Sequence, residues 1–176
     1  GTYEYVLFVF SGLIPYLGFS EAVNSSTSSV RQNLSILKNA VFPVEFVPVK
    51  FVCAAMFGLV SSLAILVLMV APTHYIGWHL VYLPVAVAAL FLFCVVMAWM
   101  LSAIAVVLPD IMQVTNVALL LLMFLSPVGF SVDMVPPAAR VLVYLNPLTY
   151  LIEAFRYSLL GLRTLPMWTD AVFVGL

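Results

Sequence analysis

The sequence predicts an all-α polytopic membrane protein, and three observations predict it. Of its 176 residues, 65% are hydrophobic and 7% are charged, with a mean hydropathy of +1.23; soluble domains hold roughly 45–50% and about 25%. Two charge-free apolar runs, 51–109 and 111–132, exceed the roughly 20 residues that a helix needs to cross a hydrocarbon core of about 30 Å. Those runs are solid, not alternating at a period of two, which argues against the strands of a membrane barrel. A soluble domain of this length could not hide so much apolar surface. Six Lys and Arg in a chain of net charge -1 cannot build a basic face, so nucleic acid is excluded as a partner.

The elements follow from where the charges fall. Residues 5–20 are 16 charge-free positions between Glu4 and Glu21, predicting a first span near 4–22. Residues 51–109 hold no Asp, Glu, Lys or Arg over 59 positions, too many for one helix and enough for two. Pro72, His74, Tyr75, Gly77, Trp78 and His79 supply the connection, with breakers and interfacial rings, so spans are expected near 48–70 and 80–106. After the Leu108-Pro109-Asp110 turn, 22 charge-free residues at 111–132 predict a span near 111–131. Residues 170–176 read as the opening of a further span. With Gly1 in first place, the chain reads as an internal piece of a longer protein.

Two stretches do not span. In the first, the polar run 24–29 is rich in N-cap residues and precedes Val30, Leu34, Leu37 and Val41 on one helical stripe, with Arg31 and Lys38 off it. A short amphipathic helix over 24–42, ended by Pro43, is expected. In the second, residues 134–163, Pro136-Pro137 can open a helix and Asn146-Pro147 breaks it. The charge-free piece 141–152 is 12 residues, too short to cross, so two short helices dipping into one leaflet are expected. Glu153 and Arg156 stand at i, i+3 and can pair. The two loops lie on opposite faces with three basic residues each, so charge alone leaves the orientation open.

Few motifs carry chemistry. Ala54, Gly58 and Ser62 form a small-residue stripe that lets membrane helices approach closely, within a bundle or in a dimer. His74 and His79 are explained better as interfacial residues than as metal ligands. Cys53 and Cys94 share no ligand spacing. There is no Walker A sequence, no zinc-protease helix and no nucleophile elbow, so no catalytic residue is assigned. No charge falls in the middle of a span, which argues against an internal proton relay and suits a conduit powered from elsewhere.

The segments SSVRQNLSILKNAVFPVEFVPV, residues 28–49, and LSPVGFSVDMVPPAARVLVYLNPLTYLIEAFRYSLLG, residues 125–161, resemble the membrane subunit of ABC-2-type exporters, most closely the polysaccharide, O-antigen and capsule export permeases. The order of parts is similar over nearly the whole chain. Where that family usually carries a basic residue before the Asp of the turn, this chain has Pro109 before Asp110. The resemblance implies a type V exporter transmembrane domain lacking its N-terminal interface helix and first span, with the last span truncated. It implies a cytoplasmic coupling helix at 24–42, in which Arg31 and Lys38 face a separate ABC ATPase, Leu34 and Leu37 pack on the protein body, and Pro43 ends the coupling element. It implies an external re-entrant gate at 134–163, built on Pro136, Pro137, Asn146, Pro147, Glu153 and Arg156. The partners implied are the ATPase, a second permease copy, membrane lipid and a lipid-linked glycan. ATP and Mg would sit on the ATPase, so this chain binds no cofactor and is not itself an enzyme. The implied location is the bacterial cytoplasmic (inner) membrane. The nearest rival cargo is a drug, a lipid or a lipo-oligosaccharide.

Overall fold

In the computed structural model the chain is described over residues 2–33, 43–73, 75, 77–108 and 110–162. Its elements are α1 (Thr2–Thr27), α2 (Ser29–Gln32), α3 (Phe46–Val70), a 3-10 turn (Trp78–Tyr82), α4 (Leu83–Val107), α5 (Ile111–Leu125), a second 3-10 turn (Val132–Met134), α6 (Pro137–Leu145) and α7 (Pro147–Leu160). Among the described residues three helices are long and apolar enough to cross a membrane: α1, α3, and α4 with the 3-10 turn that leads into it.

α1 is the central post, packing most extensively on α3 and also on α4 and α7. Its buried residues include Leu7, Tyr16, Phe19 and Val23, and the Phe19 ring stacks on Phe93 of α4 at 5.6 Å. Close approach of α1 and α3 depends on Gly18. A Cβ there would lie 2.2 Å from Leu59 Cδ1 and 3.0 Å from its Cβ and Cγ, so a larger residue requires the Leu59 side chain to shift. The small residue at this contact is therefore on α1. The Ala54, Gly58, Ser62 stripe is exposed on α3, and a Cβ at Gly58 would meet nothing within 4 Å.

The helices run up and down. Tyr3 Oη donates to the Met69 carbonyl at 2.6 Å, putting the start of α1 beside the end of α3. Trp99 Nε1 donates to the Glu45 carbonyl at 3.0 Å, putting the latter part of α4 beside the start of α3. One end of the bundle thus carries residues 28–33, and the other carries the 3-10 turn and residues 126–136.

Two expected boundaries move. The polar run does not open a helix at 24; α1 continues unbroken to Thr27. The Ser25 and Thr27 hydroxyls donate back to the Glu21 and Val23 carbonyls four residues earlier, and Ser26 to Val23, so these side chains serve the helix they are in instead of capping another. Ser26, Thr27 and Ser29 are also buried, and α2 packs on α4, whose buried residues Ala98, Ser102 and Ala105 are small. Beyond Asn33, the rest of the expected 24–42 helix lies outside the described residues. The second change is in α5, which stops at Leu125 instead of 131. Pro127 holds Ser126 extended at φ -92 and ψ 142, so the apolar run turns before it can span. The 15 residues of α5 reach about 22 Å, short of a hydrocarbon core of about 30 Å. The expected span at 170–176 lies outside the described residues.

Candidate functional site

The site is the α6–α7 hairpin and what holds it. Pro136 is exposed with φ -55 and ψ 143, and Pro137 takes the first helical position of α6, where a missing N–H costs nothing. Nine residues later the helix ends at Asn146, and Pro147 opens α7 in the same way. At about 14 and 21 Å neither helix can cross a bilayer.

Asn146 is the hinge between them. Its Oδ1 accepts from the Leu148 N–H at 3.0 Å, an N-cap, while its Nδ2 donates to Ser126 Oγ at 2.8 Å just past the end of α5. At the end of α6 the Val143 carbonyl accepts from the Asn146 N–H at 3.3 Å, and side chains of α7 supply further donors. Thr149 Oγ1 donates to the Val143 carbonyl and Tyr150 Oη to the Tyr144 carbonyl, each at 2.7 Å, so the first turn of α7 closes the last turn of α6.

Arg156 is fully buried, the largest such side chain among the described residues. Its Nη1 donates to Glu153 Oε1 at 2.6 Å, an ion pair within α7. Its Nη2 donates to the Pro127 carbonyl at 2.8 Å and the Val128 carbonyl at 3.3 Å, on the turn after α5. The guanidinium lies 3.9 Å from the centroid of the Phe8 ring on α1. Such a cation over an aromatic face contributes about 2 kcal/mol when water is excluded. Gly12, one turn after Phe8, makes the approach possible, since a Cβ there would sit 2.7 Å from the Val128 oxygen and 3.1 Å from Arg156 Nη2. One side chain thus joins α7, α1 and the turn after α5.

The far end of α7 is held separately. His79 Nδ1 lies 3.1 Å from the Ser158 carbonyl, and its ring packs near Tyr157 at 6.1 Å. Gly161 ends the helix in the left-handed region at φ 65, its N–H donating to the Tyr157 carbonyl at 2.8 Å. Both ends of α7 therefore meet connections at the same end of the bundle, and the helix does not cross it.

The structure thus brings Asn146, Pro147, Glu153 and Arg156 together, with Pro136 and Pro137 at the far end of the hairpin. Arg31 is exposed on α2 at the opposite end of the bundle, and Pro43 is exposed ahead of α3. Leu34, Leu37 and Lys38 lie outside the described residues, as do His74 and Pro109. Among the described residues no group of three His, Cys, Asp or Glu could hold a metal ion. Phe8, Gly12, His79, Ser126, Thr149 and Tyr150 were not singled out by their place in the sequence as partners of the hairpin. An arginine in an apolar helix announces that it needs acceptors, but backbone carbonyls and an aromatic face leave no mark on the sequence.

Comparison with known proteins bears on this arrangement. The family model described as ABC-2 type transporter matches residues 2–160. The O-antigen export system permease protein RfbA of Myxococcus xanthus is 28% identical over 156 residues, covering 87% of this chain and 60% of that protein. The protein of the same name from Klebsiella pneumoniae is 21% identical over the same coverage. The inner membrane transport permease YadH of Escherichia coli strain K12 is 28% identical, covering 95% of this chain and 68% of that protein. The chain thus spans about 60% of the length of the O-antigen relatives it matches.

Proposed function

Because the chain belongs to the ABC-2 type transporter family, we propose that it is the permease part of an ATP-driven exporter that moves a lipid-linked polysaccharide, such as an O-antigen or capsule glycan, across the bacterial inner membrane. The observation that carries this reading is a non-spanning helix pair locked by a buried arginine at one end of a bundle of spans. Among the described residues, the charges of the long helices lie at their ends: Glu4, Glu21 and Lys50. This placement supports an energy source outside the membrane. The names of the two RfbA relatives supply the glycan cargo.

In this reading two permease copies and two ABC ATPase copies form the working unit. ATP and Mg bind the ATPase subunits, and this chain contributes no cofactor site. The 24–42 segment docks the ATPase, with Arg31 and Lys38 facing it, Leu34 and Leu37 packing on the protein body and Pro43 closing the docking element. The pair α6–α7 is the external gate, hinged at Asn146 and Pro147 and held by Glu153 and Arg156, with Pro136 and Pro137 starting it. The Ala54, Gly58, Ser62 stripe, open on α3, is available to a neighbouring helix. A second reading keeps the fold and changes the cargo to a drug, a lipid or a lipo-oligosaccharide; the name of the YadH relative, which specifies no cargo, favours keeping it.

Co-purification tests the docking assignment. The full-length permease should bring down an ABC ATPase, and Arg31→Glu with Lys38→Glu should weaken that association, more so at low salt because exposed charges are screened. An ATPase retained in full by the double variant would remove these charges from the docking surface.

A further inference from the structure

We infer that the notch formed by Phe8 and Gly12 on α1 is the mechanical link by which α1 controls the α6–α7 hairpin, with Gly12 a positioning residue for Arg156. This deepens the proposed function, since it rests on the reading of the hairpin as a gate. The observations are geometric. α1 is one helix whose far end runs directly into residues 28–33. Near its middle, Gly12 admits both Arg156 Nη2 and the Val128 backbone to distances that no side chain would allow. The same guanidinium lies over Phe8 and donates to two carbonyls on the turn after α5. Movement of α1 along or about its axis must carry Arg156 with it or strip these contacts.

Two further features fit a joint that moves. Pro15 lies inside α1 and has no N–H, so the Ser11 carbonyl lacks its helical donor just beside the notch. A proline and a glycine three residues apart make this stretch the place where α1 can bend. Arg156 Nε is buried with no hydrogen-bond partner among the described residues. The seated position therefore forgoes one hydrogen bond, which lowers the cost of a second position in which Nε is satisfied. A two-position element of this kind can convert a displacement at the Arg31 end of the bundle into opening of the hairpin.

The test uses the full-length permease with its ATPase, in a Cys53→Ser background, with spin labels on Asn24→Cys and Leu145→Cys, both exposed positions. With labelled permease diluted into unlabelled copies so that a complex carries one labelled chain, the distance distribution without nucleotide should be a single narrow peak. Gly12→Ala, and the milder Phe8→Leu, should broaden it. Gly18→Ala is the control for a merely structural effect: it also crowds α1, against Leu59, but away from Arg156, and should leave the peak narrow. If Gly12→Ala and Phe8→Leu both keep the narrow peak, or if Gly18→Ala broadens it equally, the link is overturned. A second arm adds ATP. The peak should shift in the parent protein and fail to shift in Gly12→Ala. Absence of any ATP-dependent shift in the parent speaks against the gate reading, while the nucleotide-free arm still decides for or against the link.

Discussion

Helices α6 and α7 both begin on a proline, are both too short to cross a bilayer, and meet at one residue, Asn146. Yet α7 is buried along almost its whole length, while α6 exposes Val141, Leu142 and Leu145. The buried helix is the more polar one, since Thr149, Glu153, Arg156 and Ser158 are all inside. In a soluble protein that order would be inverted. In a membrane protein polar side chains face the bundle, where partners exist, and apolar ones are left to lipid or to a neighbouring helix. The difference between the two helices therefore measures what the polar ties contribute, and each tie can be removed in turn.

The largest effect is expected at Arg156. Replacing it with Met leaves Glu153 without its buried guanidinium partner and strips two carbonyls, and breaking a buried pair in this way costs about 3–5 kcal/mol. Thermal unfolding in detergent should fall accordingly, whereas Leu145→Ser on exposed α6 should shift stability by no more than about 0.5 kcal/mol. Equal losses from both would erase the distinction between the helices. Asn146→Ala comes next, because it removes both the cap and the bond to Ser126, and about 2 kcal/mol is expected. Asn146→Ser retains capping ability and should recover part of that loss, read by the same melts.

Thr149→Val is smaller and more local. It leaves the Val143 carbonyl without its hydroxyl donor, at about 1 kcal/mol. Hydrogen exchange should then quicken in the last turn of α6 while the middle of α7 stays protected. Uniform quickening along both helices would mean that the hairpin opens as one body and not at its corner. The smallest effect belongs to the outward face of α3. Gly58→Ala meets open space, so thermal stability should not fall and should rise by up to about 1 kcal/mol from helix propensity alone.

Much of the architecture was legible in where the charges fall. The runs free of charge located α1, α3 and α4, and the Asn146-Pro147 pair located the break in the hairpin, because proline and charge act locally. The failures were also physical. Ser25, Ser26 and Thr27 looked like caps, but a hydroxyl bonds back into its own helix as readily as forward into another, and packing against α4 decided the matter. Pro127 was present in the sequence, and its effect on Ser126 shortens α5 by six residues relative to the span expected to 131. The i, i+3 spacing of Glu153 and Arg156 exposed their pairing. It could not show that Phe8 and Gly12, more than 140 positions away in the chain, complete the same site.

In the proposed function this chain guides cargo while a separate ATPase supplies the work. The most direct measurement places the full-length permease and its ATPase in vesicles loaded with a lipid-linked glycan and follows glycan appearing on the opposite face. Transfer should require ATP, stop when the ATPase is made hydrolysis-deficient, and drop when Arg156 is replaced. Transfer that proceeds at the same rate without the ATPase would contradict it.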